Sequence, residues 1–218
     1  MSTNTSSQTA APRLPNPELA RIEVSGMTRS SFILRGALAT GAVYGATAVT
    51  PFVSHALAET GGGDVEILNF ALTLEYLESD FYNVKGQSAA LSGSAKSYAA
   101  LFGEQEQDHV KALTETIQQL GGKPVAKPTF AFPGSGESAF LSLASVLENT
   151  GVGAYNGAAP ALQSKKVLAA AGAIVQIEAR HAAAINLLID QSPTPNAGFD
   201  VAYTKAQVLA KAGPFIKS

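Results

Sequence analysis

Four long segments without proline, each with apolar residues at helical spacing, most narrowly limit what this chain can fold into. The first runs from Asp64 to about Val84 and places Ile67, Phe70, Leu74, Leu77 and Phe81 at intervals of 3, 4, 3 and 4. The second, about Ser94 to Leu120, carries Phe102, Val110, Leu113, Ile117 and Leu120, and Gly121-Gly122 is its stop signal. The third, about Glu137 to Asn156, begins after Pro133-Gly134, and the fourth runs from about Leu162 to Asp190, ahead of Pro193. Helices of this size are about 30 to 43 Å long at about 1.5 Å per residue. Strand signals are nearly absent, so the expectation is an all-α fold.

The connections set the topology. Gly86 to Gly93 and Gly157 to Pro160 are short enough to make hairpins. Between the second and third segments lie some 15 residues that include Pro124, Pro128 and Pro133, enough extended chain to run much of a bundle's length. Two helical hairpins joined by one long crossover are the ferritin-like form of the four-helix bundle. The expected bundle spans 59–192, and 193–218 is a tail with one short helix, Lys205 to Lys211.

The two hairpins also repeat each other. With a shift of 73, Leu68, Ala71, Leu74, Glu75, Tyr82 and Asn83 fall on Leu141, Ala144, Leu147, Glu148, Tyr155 and Asn156. A shift of 72 carries Glu106 and His109 onto Glu178 and His181. Chance poorly explains all the charged matches coming into register together.

Composition sharpens this pattern. There are no cysteines, which excludes a disulfide scaffold, a thiolate zinc site, an iron–sulfur cluster and a thiol nucleophile. A formal net charge of −2 argues against a nucleic-acid binder that works by neutralising phosphates. Of the 3 histidines, His55 lies in the N-terminal segment. The other two both follow a glutamate by three residues, so each pair shares a helix face. Both pairs sit in apolar stripes, one with Phe102, Leu113 and Leu120, the other with Leu168, Val175, Ile185 and Leu188. Glu75 and Glu148 lie within mostly apolar faces of the first and third segments. A buried ionised carboxylate costs several kcal/mol unless it is paired or bound to metal. Glu75, Glu106, His109, Glu148, Glu178 and His181 are therefore candidate ligands for two divalent ions, whose charge balances four carboxylates. Oxygen-rich donors with one imidazole per ion suit iron or manganese, with zinc as an alternative.

Neighbouring residues divide. Glu78, one turn from Glu75, is an alternative ligand, but its mate in the repeat is Gly151, so the symmetry favours Glu75. Glu104 lies off the ligand face and is expected in solvent. Tyr82 and Tyr155 are expected in the core with a hydroxyl partner, and a hydrogen bond to a ligand is the sharper alternative.

The chain opens with a polar stretch broken by Pro12, Pro15 and Pro17. Arg29 and Arg35 follow, then a weakly apolar, uncharged run that ends in Ala56-Leu57-Ala58. These are the parts of a secretory signal, with cleavage expected after Ala58. Thr28, Arg29, Phe32 and Ile33 resemble a twin-arginine signal in which Ser30 replaces the second arginine. The alternative is an uncleaved anchor over Gly36 to Val53. Export to the periplasm or the medium is the expectation, with membrane contact only through this segment.

The stretch from Leu68 to Glu78, LNFALTLEYLE, resembles the opening helix of an exported ferritin-like domain family that includes plant desiccation-related proteins. The likeness continues through Glu106-x-x-His109, Leu147-Glu148, Tyr155-Asn156 and Glu178-x-x-His181 to Pro214-Phe215-Ile216. The resemblance implies that Glu106 and Glu178 bridge the two ions, with Glu75 and His109 completing one and Glu148 and His181 the other. It also implies oxygen or peroxide chemistry, of ferroxidase, oxidase or manganese-catalase type. Two other readings compete: a non-catalytic stress or envelope protein with a structural metal site, and iron storage in a homo-oligomeric shell.

Overall fold

The computed structural model describes residues 63–217; the N-terminal segment with its export signal and membrane-anchor alternative lies outside the described residues, as does Ser218. Five helices dominate: α1 (Asp64–Asp80), α2 (Gly93–Gln119), α3 (Gly136–Ala158), α4 (Lys165–Leu188) and α5 (Lys205–Ala212). The fold is the all-α bundle expected from the periodicity. A π-helical turn, Phe81–Lys85, extends α1, and the Gly86 amide closes it on the Phe81 carbonyl. Asp64 and Glu66 lie in the first turn of α1, where carboxylates complement the helix dipole. The Asp64 carboxylate also accepts from the Gln163 and Ser164 amides at 2.8 and 2.9 Å, fixing the start of α4 beside that of α1.

α1 packs chiefly on α2, and α3 on α4, which makes the two hairpins. The crossover is pinned early by Asn69, whose side chain donates to the Lys123 carbonyl and accepts from the Val125 amide. Two apolar clusters fill the bundle. One gathers Phe81, Tyr82, Phe102, Phe140 and Ile185; the other Leu68, Leu72, Leu113, Ile117 and Ile174. On α2 and α4 the glutamate–histidine pairs fall between the residues of one cluster and those of the other. Among the described residues no helix is long and apolar enough to cross a membrane.

The structure corrects several local expectations. α3 does not stop at Asn156 but continues through Gly157 to Ala158, and Ala159–Ala161 forms a short 3-10 turn before α4 begins at Lys165. Gly157 serves packing rather than helix termination: a Cβ there would meet the Tyr203 carbonyl oxygen at 1.9 Å. A Cβ on Gly153 would meet the Tyr203 ring at 2.2 Å, and the Tyr203 amide donates to the Gly153 carbonyl at 2.8 Å. The tail is therefore docked on α3. Its end forms a two-residue antiparallel pairing with the crossover, Thr129 opposite Lys217 and Phe130 opposite Ile216. That pairing joins residues distant in sequence, and no alternating run announces it. Leu120 and Leu168, expected in apolar stripes, are exposed: Leu120 lies just past the end of α2, and Leu168 lies off the face of α4 on which Val167 and Ala171 are buried.

Candidate metal centre

All six residues singled out from the spacing meet in the bundle interior. Glu75, Glu106, Glu148 and Glu178 are fully buried, His181 is 1% exposed and His109 8%. Their donor atoms form two groups that could each hold a metal ion: Glu75, Glu106, His109 and Glu178, and Glu106, Glu148, Glu178 and His181. Glu106 and Glu178 belong to both. The two oxygens of Glu106 divide between the histidines: Oε2 lies 3.0 Å from His109 Nδ1, and Oε1 lies 2.9 Å from His181 Nδ1. His109 Nδ1 is also 2.9 Å from Glu178 Oε1 and 3.2 Å from Glu75 Oε2. His181 Nδ1 is 3.5 Å from Glu148 Oε2.

The contacts between hairpins carry the sequence repeat into space. The Tyr82 hydroxyl donates to Glu148 Oε1 at 2.5 Å, and the Tyr155 hydroxyl donates to Glu75 Oε1. As residue number rises along α1 it falls along α3, so these helices run antiparallel. The same holds for α2 and α4, where His109 meets Glu178 and His181 meets Glu106. The hairpins are thus related by a local two-fold axis across the bundle. Each tyrosine is a core residue whose hydroxyl partner is a candidate ligand in the other half.

Many donors are left without hydrogens to share. Glu75 Oε2, Glu106 Oε1, Glu148 Oε2, both oxygens of Glu178 and His181 Nδ1 are buried with no hydrogen-bond partner. The approach of His181 Nδ1 to Glu106 Oε1 is thus close without being a directed hydrogen bond. Buried polar atoms are nearly always satisfied, so this convergence is what a cation would complete.

Proton affinities reflect the same crowding. Burial pushes Glu75 up to about 7, and burial with neighbouring carboxylates holds Glu178 well above the usual carboxylate range. Burial also raises Glu148. For Glu106 burial acts upward, but the imidazoles of His109 and His181 close beside it outweigh that and bring the carboxyl down to about 2. Burial opposes charge on both imidazoles, yet the glutamates packed against them raise His109 to about 12 and His181 to about 9. Without metal, protons on these groups supply the compensating positive charge.

This arrangement, four helices presenting two carboxylate–histidine groups that share two glutamates, accords with the comparison to known families: residues 63–191 match the ferritin-like domain. The chain belongs to the ferritin-like domain family. A solved structure of similar fold is the conserved hypothetical protein rv2844 from Mycobacterium tuberculosis, at 20% identity and TM-score 0.53, covering 59% of this chain and 98% of that one. That likeness concerns the fold alone. No curated protein matches the chain.

Two contacts were not legible in the sequence. Gln105 Oε1 sits 2.7 Å from His181 Nε2, and Phe102 stacks on the His181 ring at 3.9 Å between centroids. Both arise across the α2–α4 seam, and no spacing rule within one helix signals them. Glu78, set aside by the repeat in favour of Glu75, belongs to neither donor group but is also buried. Glu104 is exposed, as expected.

Proposed function

We propose that this ferritin-like protein binds a dinuclear metal centre, iron or manganese, through Glu75, Glu106, His109, Glu148, Glu178 and His181, and that it carries out redox chemistry on oxygen, peroxide or ferrous iron. One observation carries the reading: Glu106 and Glu178 are shared by two buried donor groups in which five carboxylate oxygens and His181 Nδ1 have no hydrogen-bond partner. Four carboxylates and two imidazoles are a hard, oxygen-rich set, suited to iron and manganese, with zinc as a weaker fit. When bound, such ions exchange electrons with oxygen or peroxide.

The chain's own residues prepare the site. With Nε2–H of His181 donated to Gln105 Oε1, the tautomer leaves Nδ1 free to face an ion. Tyr82 and Tyr155 fix the orientation of Glu148 and Glu75. Phe102 covers His181 and excludes water from that side. The His109 side chain is 10% exposed against 2% for His181, so a small substrate would enter on the His109 side.

Metal analysis of purified protein after iron or manganese loading is the test. About two ions per chain are expected, and fewer than about one, with Glu106→Ala no different, would sink the reading. Export belongs to the same proposal, on the strength of the Ala56-Leu57-Ala58 segment. N-terminal sequencing of secreted protein should begin at Glu59; an intact Met1 terminus on protein held in the cell would overturn it.

A further inference from the structure

Glu78 is the buried titratable group that the six-ligand site does not use. It is 3% exposed, and burial together with the Glu178 charge raises it well above the usual carboxylate range. Its position follows from the local two-fold. The α1–α3 seam is marked by Tyr82 on Glu148 at one end and Tyr155 on Glu75 at the other. Midway between them the repeat sets Glu78 opposite its own mate, Gly151. The space agrees: a Cβ on Gly151 would lie 3.1 Å from Glu78 Oε1 and 3.5 Å from Glu178 Oε2. A residue that touches its own repeat mate sits on the axis. There is room on an axis for one long side chain, and Gly151 is the vacancy that admits the other's carboxylate.

We propose that Glu78 is a seventh donor to the dinuclear centre, an on-axis carboxylate facing the region shared by both ion sites, and that Gly151 is its obligate complement. This rests on the dimetal reading above. The Gly151 position lies within reach of both the Glu78 carboxyl and Glu178 Oε2, an oxygen that itself lacks a partner, so both carboxyl groups face the space that Gly151 leaves open. Glutamate at both 78 and 151 would bring two carboxylates together on the axis, which explains why this turn breaks a repeat that Glu75 and Glu148 obey.

The experiment is an equilibrium titration of full-length protein with Mn2+, read by calorimetry and by the electron paramagnetic resonance of the bound ions. Wild type taking up about two ions tests the dimetal reading, and wild type taking up none would remove both proposals. Glu78→Gln keeps the shape and removes the anionic donor; at least about tenfold weaker uptake with an altered resonance spectrum is expected. Wild-type affinity and spectrum in Glu78→Gln, with two ions still bound by wild type, would overturn Glu78 as a donor alone. The paired exchange Glu78→Gly with Gly151→Glu moves the carboxylate to the equivalent side of the axis, and most of the lost affinity should return. A space-filling role would show a shifted melting temperature without any change in metal affinity. If the exchanged variant fails to fold, the Glu78→Gln result decides by itself.

Discussion

The first hairpin, α1–α2, and the second, α3–α4, carry one design with different dressings. Each supplies a glutamate, a glutamate–histidine pair and a tyrosine that crosses to the other half. The departures from symmetry are local. Gly153 and Gly157 correspond to Asp80 and Val84 in the repeat; the tail lies on the glycines, while Val84 is 62% exposed and Asp80 pairs with Lys127. Gln105 and Phe102 correspond to Ile177 and Ile174, so only His181 has a hydrogen-bonding and stacking partner of this kind. The shared inner layer is thus constrained by the ions it would hold, whereas the surroundings of each half are free to diverge with what covers them.

The symmetry can be broken most severely at its shared members. Glu106→Ala and Glu178→Ala should each empty both sites, so that metal per chain after dialysis, read by mass spectrometry, falls from about two towards zero. A variant that keeps one tightly held ion would show that its glutamate serves one half only. Next, His109→Ala and His181→Ala should each weaken one ion by about 100-fold, read by competition with a chelator. His181→Ala should cost more, because Gln105 and Phe102 hold that ring in place.

The pH dependence tests both halves together. Both histidines have raised proton affinity in the fold; their stabilisation is complete below the unfolded value of 6.5 and is lost as pH rises through about 9 for His181 and about 12 for His109. Glu75, Glu148 and Glu178 are also raised, so the folded state loses relative stability from about 4.5 upward. Glu106, lowered to about 2, acts oppositely but only below 4.5. The metal-free melting temperature should therefore fall between pH 5 and pH 9, and manganese should restore most stability at the alkaline end. A metal-free protein that grows more stable over that range would contradict the crowded-carboxylate picture.

Smaller effects probe the equivalence itself. Tyr82→Phe and Tyr155→Phe each leave a buried carboxylate oxygen unpaired and should destabilise the metal-free fold by about 1–3 kcal/mol each, read by chemical denaturation. Unequal costs would show that the axis is only approximate. Finally, Gln105→Ile gives α2 the residue that the other half has at that place. One ion alone should weaken, by about tenfold, with the other unchanged.

Much of this was written in the sequence. Proline-free periodic segments determined the helices, and proline content in the crossover determined which connection is long. The scarcity of histidine drew attention to two pairs that proved to be neighbours. Those features depend on residues three and four apart, or on chain length, and both are visible in one dimension. What the tertiary structure decided involves residues that meet without any sequence rule. Tyrosines reach across to the opposite half, Gln105 and Phe102 close over His181, and the tail lies on Gly153 and Gly157. The same reason governs Glu78: in the sequence its mismatch with Gly151 counts against it, while in the fold the two residues touch, and the glycine is the space that the glutamate fills.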